Sequence, residues 1–209
     1  MDFSESQQKV IDYNEGNLLV IAGAGSGKTR VVTEKIIKTL PNLRKGEKIL
    51  ALTFSNKAAD ELRERLESKT EKDILNEKCF IGTIHNFCLE LVNSKGYLIG
   101  LPSELHIFEA YDDRLKILYN AINNIPAIRN KYINDERKIK ELFELLAKLK
   151  RELKFYDDYE ESSNAYLLFK EYDDLLLAQQ AIDFDDILRY AYKILDTNIL
   201  IDGRIVDLV

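Results

Sequence analysis

The sequence predicts an α/β fold: a parallel sheet with helices on its faces, followed by a block of helices. Three observations carry this prediction. Strand and helix signals alternate over residues 1–93, and an apolar run at 18–22 opens through a glycine-rich loop into an amphipathic helix. Glycine then vanishes between Gly100 and Gly203, while leucine and isoleucine recur at helical spacing. Alternation of strand and helix places strands parallel with crossover helices between them.

The elements follow in order. Residues 4–13 read as a helix opened by "SESQ", a capping box in which Ser4 and Gln7 close the first turn on each other. The branched, fully apolar run at 18–22 has the pattern of a parallel strand buried on both faces. A helix at 28–39 stops before Pro41; strand 48–53 leads into helix 56–67; and strand 79–82 leads into helix 84–92. Ligands of such sheets sit at the carboxyl ends of the strands, where "GAGSGKT", "TFSNKA" and "GTIHN" emerge. Beyond residue 100, Leu115, Leu118 and Ile122 share a helical face, as do Ile139, Leu142, Phe143, Leu146, Leu149 and Leu153. At "IDFDD", Asp183, Asp185 and Asp186 read as cap and macrodipole partners of a helix rather than as a metal or acid–base cluster. Tyr156, Tyr159, Tyr166 and Tyr172 read as packing residues.

Composition narrows the class. The chain has 209 residues, 45% hydrophobic residues and three prolines, which suits a globular protein with one large or two small domains. No apolar run approaches the roughly 20 residues of a membrane span, and "MDFSESQQKV" lacks the apolar core of a signal peptide, so a cytoplasmic protein is expected. Cys79 and Cys88 lack metal-ligand spacing and read as small buried hydrophobes. A net charge of −6 confines any nucleic-acid contact to a local site. Residues 136–154 lean basic, and 155–187 are acidic with Lys170 as the only base; both runs read as solvated helix faces.

The loop carries the first chemistry. Ala22, Gly23, Ala24, Gly25, Ser26, Gly27, Lys28 and Thr29 fit the Walker A pattern, with Ala22 in place of the usual first glycine. Small residues let backbone N–H groups turn inward around a β-phosphate, and the following helix aims its positive end there. Lys28 would reach the β- and γ-phosphates, and the Thr29 hydroxyl would hold Mg²⁺. ATP and Mg²⁺ are the expected ligands.

"FSESQQKVI…NLLVIAGAGSGKTRVV", "ILALTFSNKAADELRERL" and "IGTIHNFCLELV" together resemble superfamily 1 DNA helicases of the UvrD, Rep and PcrA type. "LLFKEYDDLLLAQQAIDFDDILRYAYKIL" is similar to the stretch that this family carries before its Walker B strand. The resemblance implies a RecA-like subdomain 1A over 1–99, a helical subdomain 1B over 100–182, inserted or appended, and an incomplete return to 1A over 183–209. It also implies ATP-driven 3′–5′ movement along single-stranded DNA.

Several residue roles come with it. Gln7 falls where the family reads the adenine edge, and a side-chain amide suits that task because it both donates and accepts. Arg30 matches an arginine that packs flat on adenine. Phe54 would stack on a base, Thr53 and Asn56 would bond backbone phosphates, and Thr83 and His85 match a further DNA-contacting motif. That motif departs from the family pattern, with Ile84 where an aromatic is common and Asn86 where Ser or Gly is.

Hydrolysis needs an apolar strand ending in Asp-Glu. Asp60-Glu61 and Asp135-Glu136 do not follow strands, and "NILIDG" at 198–203 has Gly203 beside Asp202 where Glu belongs. The resemblance places the true motif past Val209. The sequence is therefore expected to be the ATP- and DNA-binding front of a helicase, completed by the remainder of that helicase or by a partner supplying it. The alternatives are a stand-alone, non-hydrolysing P-loop protein acting through a partner and a P-loop enzyme of another kind.

Overall fold

The computed structural model describes residues 3–196, and of the remainder the backbone of 199–201 and 204–206. The chain divides into two compact units, Met1–Phe87 and Cys88–Val209.

The first unit is an α/β layer. Helix α1, Glu5–Asp12, carries the predicted capping box, with Ser4 Oγ accepting from Gln7 N–H and the Gln7 carbonyl oxygen accepting from Ser4 N–H. Helix α2, Lys28–Thr39, lies against it, tied by Lys35 Nζ donating to the carbonyls of Val10 and Tyr13 and by Lys38 pairing with Asp12. The bond from Lys38 also holds the Asp12 carboxyl below its ordinary range. Strand β1, Ile49–Thr53, pairs parallel with β2, Cys79–Thr83, so that Thr53 stands beside Thr83 at the carboxyl ends. Helix α3, Asn56–Glu67, crosses between the strands, and the short helix α4, Lys72–Lys78, precedes β2. The core is one-sided: Ile36, Leu40, Leu62, Leu66, Leu75 and Ile81 pack together on one face of the strands.

The run at 18–22 departs from expectation. It is not a strand, and Leu19 and Ile21 are 85% and 90% exposed. A parallel strand exists only through ladder bonds to neighbours and burial on both faces; among the described residues this segment has neither. On the same unit Leu50 and Leu52 are also exposed. The resulting two-stranded parallel sheet is smaller than the RecA-like sheet that the resemblance implied.

Helix α5, Ile84–Lys95, begins in the first unit and continues into the second. The second unit is mainly helical: α6 Tyr111–Asn124, α7 Pro126–Tyr132, α8 Glu136–Arg151, α9 Asn164–Leu177 and α10 Phe184–Asp196. Leu118, Ile122, Ile139, Phe143, Phe169 and Leu176 form its core. The expectation of an all-helical block is corrected by β3, His106–Phe108, which pairs parallel with β4, Ala181–Asp183. Helix α10 packs against α8 and β4 within this unit, whereas residues 183–209 were expected to return to the first. Strands β5, Ile199–Ile201, and β6, Arg204–Val206, form an antiparallel pair; Asp202 and Gly203 lie outside the described residues. Cys79 is half-buried and Cys88 buried, and burial raises both thiols.

The "DFDD" acids do more than cap. Asp183 and Asp186 cap α10 reciprocally, each carboxylate accepting the other's backbone N–H at 3.0 Å. The same carboxylates hold Lys150 Nζ at 2.8 and 2.9 Å, and Arg189 bonds Asp173 at 2.9 Å and Asp186 at 2.5 Å. All five side chains are 4% exposed or less. Burial raises the Asp183 carboxyl to about 6, with the Asp186 charge adding to it. Burial opposes the Lys150 charge, yet Asp183, Asp186 and Asp173 outweigh it and raise the ammonium above its ordinary range.

Candidate functional site

The glycine-rich loop earns its shape from two residues. Gly25 and Gly27 have φ of +75° and +83°, left-handed conformations that a side chain strains. Gly27 is also the N-cap of α2 and has no side chain to satisfy the helix's first N–H groups. Those donors, and the positive end of the helix, are left for an anion. Ser26 closes the loop by bonding Gly23 O through both N–H and hydroxyl, at 3.4 and 2.8 Å. Lys28 folds back over it, Nζ donating to Ala22 O at 3.0 Å and Gly23 O at 2.6 Å. Thr29 follows in the exposed first turn of α2. The donor set of backbone N–H groups and one ammonium fits a phosphate chain.

Gln7 reaches this loop. While its carbonyl oxygen closes the capping box, Nε2 donates to Ser26 O at 2.9 Å and lies 3.2 Å from where a Gly27 Cβ would stand. One conformation of the Gln7 amide thus bonds the helix cap through its oxygen and the glycine-rich loop through its nitrogen. Residues 20–22, Gln7, Ser26, Lys28 and Val31 line an open cavity of about 510 Å³. Arg30 stands with its guanidinium 4.2 Å from the Phe3 ring. Phe3 drew no role from the sequence; the signal was an aromatic placed directly before the cap residue.

The loops after β1 and β2 form a second cluster. Phe54 is fully exposed, its ring touching no core. Ser55, rather than Asn56, caps α3, its hydroxyl accepting from Ala58 N–H at 3.2 Å. Thr53 Oγ1 donates to Ser55 O at 2.9 Å and stands 3.5 Å from Gly82 O, and Thr83 Oγ1 accepts from Asn86 N–H at 3.2 Å. Asn86 Nδ2 donates to Asn56 Oδ1 at 3.2 Å, joining the two loops. His85 is half-buried in the first turn of α5. Thr53, Phe54, Asn56, Thr83 and His85 are therefore gathered on the two adjoining loops, and Asn86 joins them as a residue the sequence reading left without a role.

Among known families, the one described as UvrD/REP helicase N-terminal domain matches residues 3–205. A probable DNA helicase II homolog of Mycoplasma capricolum is 34% identical over 211 residues, covering 95% of this chain and 28% of its own length. An ATP-dependent DNA helicase PcrA of Leuconostoc citreum is 31% identical over 192 residues, 88% of this chain and 25% of its own. An ATP-dependent DNA helicase Rep of Buchnera aphidicola is 30% identical over 195 residues, 90% and 28%. The chain thus spans about a quarter of the length of the curated relatives it matches. Among the described residues no helix is long and apolar enough to cross a membrane.

Proposed function

The chain belongs to the UvrD/Rep helicase family, to its N-terminal domain, and from that premise we propose that it is the ATP- and single-stranded-DNA-binding front of a 3′–5′ DNA helicase. One observation carries the nucleotide half: a loop bent by Gly25 and Gly27 leaves the start of α2 uncapped, with the Lys28 ammonium lying against it. The β- and γ-phosphates would draw Lys28 from the carbonyls of Ala22 and Gly23 while the N–H groups of 23–29 ring them. The Thr29 hydroxyl would hold Mg²⁺, which supplies neutralisation of charge between those phosphates. Gln7 would read the adenine edge and the Arg30 guanidinium would pack flat on adenine.

The DNA half rests on the paired loops. An exposed aromatic between two hydrogen-bonding side chains, Thr53 and Asn56, suits single-stranded DNA, because a base of any identity stacks on it. Thr53, Asn56, Thr83 and His85 would hold the sugar–phosphate chain in register.

Turnover requires an acid to orient water and an arginine from a second domain, and we place both in the remainder of the helicase or in a partner supplying it. The same remainder would cover the exposed run at 18–21. The test is phosphate release from ATP–Mg²⁺ by the purified chain, with and without single-stranded DNA. Release should stay at background in both. Robust DNA-stimulated release that Lys28→Ala abolishes would show that this chain holds its own catalytic acid, and Asp202 would be the first residue to substitute.

A further inference from the structure

We infer that Asn86 is a positioning residue for single-stranded DNA, turning the Asn56 side chain so that its N–H₂ group faces the phosphates. The inference rests on the DNA reading above and adds to it a residue that departs from the family pattern at this position.

The chemistry begins with the ligand. A phosphate oxygen accepts hydrogen bonds and never donates, whereas an asparagine amide presents a donor end and an acceptor end of nearly equal shape. An unguided Asn56 would offer the wrong end part of the time. Two bonds in the structure bias that choice. Ser55 takes the capping duty of α3, so the Asn56 amide is not consumed by its own helix. Asn86 Nδ2 then donates to Asn56 Oδ1 at 3.2 Å. With Oδ1 held toward Asn86, the Asn56 N–H₂ is directed away from it as a donor. The backbone of Asn86 is held in place, its N–H donating to Thr83 Oγ1 at 3.2 Å in the first turn of α5. The parallel register that sets Thr53 beside Thr83 brings the two asparagines together across 30 residues of sequence. Both side chains are exposed, so the bond carries no part of the core.

The test is a double-substitution cycle read by fluorescence anisotropy of a labelled thymidine oligonucleotide, with Phe54→Ala alongside. Asn86→Ala should weaken binding about three- to tenfold, the worth of one hydrogen bond. Asn56→Ala should weaken it at least as much, and the double variant should be no weaker than Asn56→Ala alone. Melting temperature and the affinity for a fluorescent ATP analogue should not change, which separates positioning from general loosening of the unit. If Asn56→Ala weakens binding and Asn86→Ala does not, the inference falls and the DNA reading stands. If the two losses multiply independently, Asn86 contacts DNA itself and the positioning role is wrong. If neither Phe54→Ala nor Asn56→Ala changes the affinity, or the chain does not bind the oligonucleotide, the DNA reading fails and takes the inference with it.

Discussion

Replacing Lys150 by methionine should unfold the second unit at far milder conditions than the wild type withstands. The ammonium sits 2.8 Å from Asp183, 2.9 Å from Asp186 and 3.3 Å from Asp173, at 0% exposure. Methionine matches the length of the stem and fits beside Tyr172, whose ring lies 4.5 Å from the ammonium, so little packing is lost. What remains is three buried carboxylates facing the single charge of Arg189. Removing one partner from a buried ion pair costs about 3–5 kcal/mol, because an uncompensated charge stays behind. The cost should depend on pH. Asp183, already near 6, has its carboxyl raised further by loss of the cation, and a proton on it relieves the repulsion. Up to about pH 6 the wild-type native state holds the same proton, so the deficit opens as pH rises past about 6, where the variant alone still holds it. Urea denaturation followed by circular dichroism, at pH 5 and pH 8, measures it. A second change, Asp183→Asn on the Lys150→Met background, removes one surplus charge and should recover part of the loss at pH 8. A loss below about 1 kcal/mol at pH 8, or one equal at both pH values, would refute the reasoning.

Three further outcomes follow from the same geometry. In the otherwise wild-type chain, raised carboxyls at Asp183 and Asp173 mean that stability falls as pH climbs from about 4 to 6, and Asp183→Asn should flatten that slope in the same denaturation series. Gln7→Glu keeps the oxygen that closes the capping box but replaces the donor to Ser26 O with a negative charge beside the cradle; α1 should persist by circular dichroism, while affinity for a fluorescent ATP analogue drops about tenfold or more. Phe54→Ala should weaken single-strand binding by about 1–3 kcal/mol with little base preference, as seen by anisotropy with oligonucleotides of different composition; equal binding by a folded variant would remove Phe54 from the interface.

Where the chain's local chemistry decides, the sequence was legible. Helices 28–39 and 56–67 match α2 and α3 residue for residue, because Gly27 and Ser55 open them and the Leu40–Asn42 turn, with Pro41 at its centre, closes the first. Where structure depends on a distant partner, it was not. The run at 18–22 has strand composition, but composition cannot provide a ladder. Strands β3 and β4 are three residues each and meet across a whole helical unit, beyond any local signal. The short helix α4 carried too few residues for a period to emerge. The ion cluster does leave a local signal: Lys150 lies four residues after Leu146, seven after Phe143 and eleven after Ile139, on the buried stripe of α8 rather than its solvated face. At the candidate site, the glycine pattern pointed to the loop bent at Gly25 and Gly27, and the loop motifs pointed to the residues that stand at the carboxyl ends of β1 and β2. The division of labour between Ser55 and Asn56, and the bond from Asn86, needed the parallel register to appear.

We propose above all that the loop at 22–29 binds the phosphates of ATP through Lys28. Isothermal titration of ATP–Mg²⁺ into the purified chain and into Lys28→Ala tests it most directly. Saturable binding is expected of the wild type and its loss in the variant, whose circular dichroism spectrum should be unchanged. No binding by the wild type, or equal binding by a folded Lys28→Ala, would contradict it.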